Sequence, residues 1–477
     1  MSYGWKCDGY TTDKADLTSV AVKQDNSAPI LAITRYSLPF RIPGSQKDRQ
    51  LLHYFCVQGS HDLAGFLNFD FWTRTVLEQS HQEPTVRQAL VSLSSLHLDC
   101  TTASSGAARN ETLMQYGKAL RMLQKRLRTP GTDATRTALV CSILFHCFEA
   151  TIGNSQAAMH HLQGGLSMLS SCHQQSLERT EELDVLSLEL ERLDLQATLF
   201  YDQPSAHVVS EKDENSNDAP NVNSFRRLSD AHRTLVKLIY RGFHLISDNI
   251  PHKFASREFV PPPVLQQKLE LSKSLHQWKA MFDAFKEKLD QEAIKEYGCQ
   301  ILLIHWHLAT MLLDAVYPVD RTVFCASPNP RAMHVLELVE GVLARTTQQN
   351  PASPTSRPPQ RVISSEIGVV APLFALALKC ADDEVCDRAL ELLNTTQRRE
   401  GLWEASHMAS MIQQLRDARE RRLANADEEF LVKARSQSLE QLFWYEFSSP
   451  YEGLNMMTTY VEQAILGIYA PPEILSD

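Results

Sequence analysis

The sequence predicts an all-α fold, a large multi-helical array of antiparallel helix pairs with disordered insertions. Three observations predict it. Apolar residues recur at three and four in segment after segment. No run alternates apolar and polar residues as half-buried strands do. Thr129-Pro130-Gly131, Gly153-Asn154 and Pro261-Pro262-Pro263 fall between periodic segments.

The clearest segment spans Gln50 to Asp99. Val86, Ala89, Leu90, Leu93 and Leu96 form one face of a helix that Pro84 opens, because the first helical position needs no backbone N–H. Upstream, Phe66, Phe69, Phe71 and Trp72 cluster around Asn68, which reads as the N-cap of a short helix to Ser80. Glu111 to Arg128 places Leu113, Tyr116, Leu120, Leu123 and Leu127 on one face, with Lys118, Arg121, Lys125, Arg126 and Arg128 on a solvated one. Ala138 to Glu149 is apolar almost all round, hence a helix buried between others. Gly153-Asn154 joins it to Ala157–Leu169, whose packing face is Ala158, His161, Leu162, Gly165, Leu166 and Leu169. The pair makes a helical hairpin without a fixed repeat period. Leu183 to Phe200 follows as an amphipathic helix.

Further on, Phe225–Ser247, Val264–Leu289 and Ala293–Val316 are helical patterns, with Pro261-Pro262-Pro263 as a stop before the second. Val362–Lys379, Glu384–Asn394, Leu402–Ala424 and a piece from Ser438 to Phe447 complete the set. Two polar stretches, residues 205–223 and 346–361, read as disordered. The resulting division is residues 1–10, a linker at 11–47, helical parts at 48–204, 224–345 and 362–477, and the two insertions between them.

Composition sets further bounds. The 477 residues are 22% charged and 43% hydrophobic, with a net charge of −10, which argues against a general polyanion-binding surface. The ten cysteines are scattered, and Cys141, Cys147 and Cys380 lie inside apolar runs, a pattern suited to a reducing compartment. Met1 to Tyr10 lacks the apolar core of a secretory signal, and the apolar run Ala138–Phe148 is too short to span a bilayer. A soluble, intracellular protein with no membrane partner is the expectation.

No constellation of catalytic residues emerges. The imidazoles of His305 and His307 project about 200° apart on a helix and cannot share a metal from one face, and the adjacent His160 and His161 diverge as well. Asp382-Asp383-Glu384 resembles the acidic magnesium-binding motif of isoprenoid synthases but has no second motif, and it sits where a helix N-terminus favours negative charge. Phosphate-loop, GxSxG and HExxH signatures are lacking. Gly401 permits a tight turn before the helix that follows, with Trp403 packing, and Arg416 to Arg422 reads as an exposed helix laced by i,i+4 pairs. The candidate catalytic, cofactor-binding and metal residues are therefore none.

The order LLHYF, HDLAGFLNFDFW, LEQSHQEPTVRQALVSLSSLH, then Ala138 to Leu169, then Ala371 to Ala405, resembles the middle homology region of fungal zinc-cluster transcription factors. Cys7-Asp8-Gly9-Tyr10 is similar to the tail that follows the sixth cysteine of that family's binuclear zinc cluster, so the resemblance implies that residues 1–10 are the cluster's C-terminal end. One thiolate cannot hold zinc, so zinc is expected only if a complete cluster lies upstream of Met1. The resemblance further implies a nuclear regulator of a fungal metabolic gene set, including secondary metabolism. Its expected partners are the transcription machinery, DNA only where the cluster is complete, and a possible second copy of the chain. The alternative is a stand-alone helical co-regulator or inhibitor that binds a full-length factor and not DNA.

Overall fold

Residues 43–66, 70–102, 106–129, 131–174, 181–201, 225–253, 255–289, 297–349, 361–424 and 437–440 are described by the computed structural model. All of the elements below lie in the unit Gly44–Asp477. Cys7, residues 11–42 of the predicted linker, Asn68, Phe69, the stretch 205–223, residues 350–360 and residues 441–447 of the last helical piece lie outside the described residues.

The chain enters through α1 (Gln46–Tyr54), capped by Ser45 and Asp48 in a reciprocal capping box. A π turn (Phe55–Gly59) leads into α2 (Ser60–Ala64), and a second (Phe71–Thr75) leads into α3 (Val76–Gln82). Phe55, Phe71 and Trp72 are completely buried, with the Phe71 and Trp72 rings edge to face at 4.9 Å. Helix α4 (Pro84–Thr102) begins at Pro84 and buries all five of Val86, Ala89, Leu90, Leu93 and Leu96.

Helix α5 (Gly106–Arg126) buries Tyr116 of the predicted face and leaves Leu120 and Leu123 half-buried, but it is rotated slightly from the leucine stripe. Leu113 and Leu127 are 45% and 47% exposed, whereas Thr112, Tyr116 and Ala119 are buried. Polar bonds set this rotation, because the Thr112 hydroxyl lies 2.6 Å from both Ser95 Oγ and Asp99 Oδ2 of α4. Helices α6 (Thr132–Ile152) and α7 (Ser155–Gln174) form the expected hairpin, with Gly153 in the left-handed conformation at φ 88°. Ala138 to Ala150 are buried without a break. Gly165 of α7 leaves no room for a side chain, since a Cβ there would stand 2.5 Å from Ser142 Oγ and 2.9 Å from Leu190 Cδ2. The latter belongs to α8 (Glu181–Tyr201).

A second core gathers around α9 (Leu228–Asp248), α10 (Pro262–Lys286) and α11 (Tyr297–Asp314). Trp278 and Phe282 stack at 4.7 Å in its centre, and the indole N–H of Trp278 donates to the Ala231 carbonyl at 2.8 Å. Pro262 is the first residue of α10, so the proline run starts this helix as well as stopping what precedes it.

After α12 (Thr322–Cys325), helix α13 (Pro330–Gln349) occupies a stretch that the sequence pattern leaves unassigned. Asn329 caps it, accepting from the Ala332 N–H at 3.1 Å, and Ala332, Val335, Leu336, Val339 and Val342 are fully buried. It carries helix to Gln349, into the stretch 346–361 read as disordered.

Two helical boundaries are corrected by a small sheet. Val362–Ser364 is not helical but forms β1, and helix α14 (Val370–Lys379) starts eight residues later than the pattern suggests. After α15 (Asp383–Thr395), Arg398–Glu400 form β2 and Trp403–Glu404 form β3, so α16 (Ala405–Leu423) starts only at Ala405. Strand β1 pairs parallel with β2, Val362 opposite Arg398, while β2 and β3 pair antiparallel across the turn at Gly401-Leu402. The partner of β1 is far off in sequence, which no local period encodes. Apart from this three-stranded sheet the described fold is helical, as expected. Among the described residues no helix is long and apolar enough to cross a membrane.

Candidate functional site

The small sheet is the centre of a buried polar joint. Glu400 is 1% exposed, and its carboxylate accepts from the backbone N–H groups of Gly368 (2.9 Å), Val369 (3.1 Å) and Val370 (2.9 Å). Those donors form the N-terminus of α14, where a negative charge is favoured, and Arg398 Nε closes the set at 3.1 Å. Arg192 of α8 bridges Glu189 and Glu366, each at 2.6 Å, with all three side chains below 8% exposure. Gln196, one turn on, donates to the Ser365 and Glu400 carbonyls. Trp72 donates its indole N–H to Ser365 Oγ at 3.0 Å, and that hydroxyl donates to the Leu63 carbonyl at 2.9 Å. Arg399 reaches back to the Ala150 carbonyl at 2.6 Å and pairs with Glu404. Residues more than 150 positions apart are thus fixed to one another through these groups.

Beside this joint lies a cavity of about 270 Å³, close to the lower end of the range in which small molecules are bound. Its walls are mostly apolar: Leu195 and Leu199 of α8, Leu235, Ile239 and Ile246 of α9, Leu308 and Leu312 of α11, Phe374 and Leu378 of α14, and Met408 and Met411 of α16. Arg192, Glu366, His232 and His305 line it, as do Lys253, Lys379, Ser438 and Glu440. His305 donates through Nε2 to the Gly368 carbonyl at 2.9 Å. Burial holds His232 and His305 below the ordinary imidazole range, so both are neutral at pH 7 and present the cavity with a hydrogen-bonding edge and no charge.

At Glu440 the balance runs the other way. Burial alone would raise its pKa, but Lys253 at 3.2 Å and Lys379 at 2.6 Å, both on Oε1, bring it down to about 2.

The residues singled out in the sequence have structural places. His307 turns away from His305 toward His334, the ring centres 5.0 Å apart, and lines a separate cavity, so the two imidazoles do not meet. His160 is exposed, while His161 Nε2 lies 3.0 Å from the Tyr116 hydroxyl. Asp382 caps α15, accepting from the Glu384 N–H at 3.2 Å, and also takes the Asn329 N–H at 2.8 Å, with Asp383 and Glu384 exposed. Gly401 makes its tight turn at φ 57°, and Trp403 is buried. Arg416 pairs at 2.6 Å with Asp387 of the neighbouring helix α15.

Zinc does not fit what is described: among the described residues no group of three or more histidine, cysteine and acidic side chains could hold a metal ion. Burial pushes the thiols of Cys141, Cys147 and Cys380 well up, the reverse of what a metal-binding thiolate needs.

Sequence reasoning missed the cavity and the joint. Arg192, His232, Lys253 and Lys379 sit on separate elements at no diagnostic spacing, and charged residues within amphipathic helices read as solvated. A faint signal was available in Arg398-Arg399-Glu400, three charged residues abutting a turn glycine and a tryptophan.

Buried histidines give the fold an acid limit. Burial lowers His97 and His146 to about 4 from the usual 6.5. His97 is therefore neutral at pH 7, and its 3.6 Å approach to Asp62 is not an ion pair there. Below pH 6.5 the unfolded chain binds protons that the folded chain refuses, so stability is lost as pH falls from about 6.5 toward 4. The loss at pH 5 is about 2 kcal/mol for each histidine. Urea unfolding at pH 7 and pH 5 measures it, and equal midpoints at the two values would contradict it.

The fungal specific transcription factor domain matches residues 50–419, from α1 to near the end of α16, and the chain belongs to that family. It is similar to a protein of Purpureocillium lilacinum named "Transcription regulator lscL", 32% identical over 179 residues, or 35% of this chain. The match spans 42% of that relative's length. No solved structure matches.

Proposed function

We propose that this chain is the regulatory helical domain of a transcriptional regulator governing a fungal metabolic gene set, secondary metabolism included, and that its cavity holds a small effector. The observation that carries this reading is the family match over 50–419, which takes in the joint and the greater part of the cavity wall. The name of the relative supports transcription as the process. In this reading the protein acts in the nucleus, DNA contact belongs to a complete zinc cluster, and the domain passes the effector's presence to partners in the transcription machinery, as a monomer or with a second copy. Catalysis has no part in it.

One observation favours the second reading, a co-regulator that binds a full-length factor and makes no DNA contact of its own. The net charge of −10 opposes approach to a polyanion. Deleting the gene and sequencing the RNA tests regulation in either form: a coordinated change in a cluster of metabolic genes is expected, and unaltered transcript levels would overturn it. Electrophoretic shifts with the purified 477-residue chain separate the two forms. Little retention of duplex DNA, with no dependence on salt, is expected of this chain by itself, whereas a sequence-selective, salt-sensitive shift would assign DNA binding to it.

A further inference from the structure

The cavity has two polar ends. Its floor carries the joint, with Glu366 and His305 near the N-terminus of α14, while Lys379 is the last residue of that helix. Ten helical residues separate the ends by about 15 Å. Phe374, Ala375 and Leu378 of the same helix line the space between.

Charges at the two ends are balanced differently. Arg192 is matched by Glu189 and Glu366. At the other end two ammonium groups, Lys253 and Lys379, converge on a single oxygen of Glu440. Because both bonds end on one atom, the ammonium groups are no farther apart than the two bond lengths together. Both lysines and the carboxylate that they share line the cavity, as does Arg321. Asp320 also lines the cavity, but it is engaged by the Thr322 N–H (2.9 Å) and hydroxyl (2.6 Å) at the start of α12.

Glu440 is part of a four-residue described piece, Gln437–Glu440, in which Gln437, Ser438 and Leu439 are buried. It supplies the pair of lysines with what an incoming ligand would supply: a carboxylate attached to an apolar neighbour, here Leu439.

We propose that the cavity binds an elongated apolar molecule ending in a carboxylate, received by Lys253 and Lys379 in exchange for Glu440. This names the chemical class of the effector and rests on the effector-binding reading above. The apolar body lies along α14, against Phe374 and Leu378, and the acid head takes the place of the Glu440 carboxylate. Binding therefore releases Glu440, which couples the occupancy of the cavity to the C-terminal piece that carries it. A neutral head group leaves the exchange unfavourable, because two lysines would lose their carboxylate without gaining another.

The test uses the full chain and a matched pair of probes, dodecanoate and dodecanol, each measured below its aggregation limit by displacement of the fluorescent probe 1-anilinonaphthalene-8-sulfonate. Dodecanoate is expected to bind about tenfold tighter than dodecanol, the worth of one charge-assisted contact over a neutral one. Lys379→Met and Lys253→Met are expected to abolish that preference while leaving dodecanol unchanged. Glu440→Gln, which removes the internal competitor, is expected to strengthen dodecanoate binding by about tenfold with dodecanol unaffected.

Equal affinity of the wild-type chain for the two probes would overturn the proposal without recourse to any variant, and so keeps the test decisive if a variant fails to fold. Equal affinity would leave an effector cavity of other chemistry, whereas displacement by neither probe would remove the cavity reading as well. A Glu440→Gln chain with unchanged preference would reduce Glu440 to a structural clasp and sink the exchange.

Discussion

Arg192→Met is expected to destabilise the folded chain by about 3–5 kcal/mol, the cost of removing one member of a buried ionic group and leaving its partners in place. The Arg192 side chain is 7% exposed, and its guanidinium stands between Glu189 and Glu366, whose side chains are 0% and 4% exposed. Without it two carboxylates remain in a medium that solvates them poorly. Their alternatives are to take up protons at neutral pH or to open the joint to water. Opening it separates α8 from the segment before α14, and with them the floor of the cavity. Lysine is a poor substitute, since its three N–H groups radiate from one nitrogen, whereas Arg192 meets Glu189 and Glu366 from two separate nitrogens of a planar fork. The measurement is urea unfolding of wild-type, Arg192→Met and Arg192→Lys chains, with the lysine variant falling between the other two. A triple replacement, Arg192→Met with Glu189→Gln and Glu366→Gln, removes all three charges and is expected to recover most of the loss. A Met variant within about 0.5 kcal/mol of wild type would show that the trio contributes nothing, as many exposed ion pairs do.

The contrast between what the sequence foretold and what it concealed follows the range of the interactions involved. Helix α4 was legible because Val86, Ala89, Leu90, Leu93 and Leu96 announce one face at 3.6-residue spacing and all are buried. The cap at Asp382 and the turn at Gly401 were legible for the same reason, being decided by groups a few residues away. Helix α5 shows where periodicity fails, since the leucine stripe and the buried face differ by about one residue and only the bonds of Thr112 to another helix select between them. Strand β1 was misread because its partner lies beyond two intervening helices. The cavity is the extreme case: Arg192, Lys253, Lys379 and Glu440 come to line one space only after seven helices have packed, and each alone resembles an ordinary surface charge. The family resemblance located the blocks that contain these residues but said nothing of their meeting.

Gly401→Ala is expected to be the most damaging single-methyl change in the joint, at about 2–5 kcal/mol. Two costs combine. The residue sits at φ +57°, where an L side chain pays about 1–2 kcal/mol. The added Cβ would also stand well inside contact distance of the Gln196 amide, 2.5 Å from Cδ. Overpacking of that kind costs about 1–3 kcal/mol when the neighbour cannot yield. Gln196 has little room to yield, since it is 1% exposed and donates to the carbonyls of Ser365 and Glu400, bonds that tie α8 to both sides of the sheet. Moving the amide aside breaks them, and moving the turn pulls Glu400 away from the N-terminus of α14. The double variant Gly401→Ala with Gln196→Ala separates the two terms. Truncating the glutamine relieves the clash and leaves the backbone strain, so the second substitution should cost far less in the alanine background than in wild type. Strict additivity in that cycle would mean that the turn and the amide do not touch, and the cost of Gly401→Ala would then be backbone strain alone.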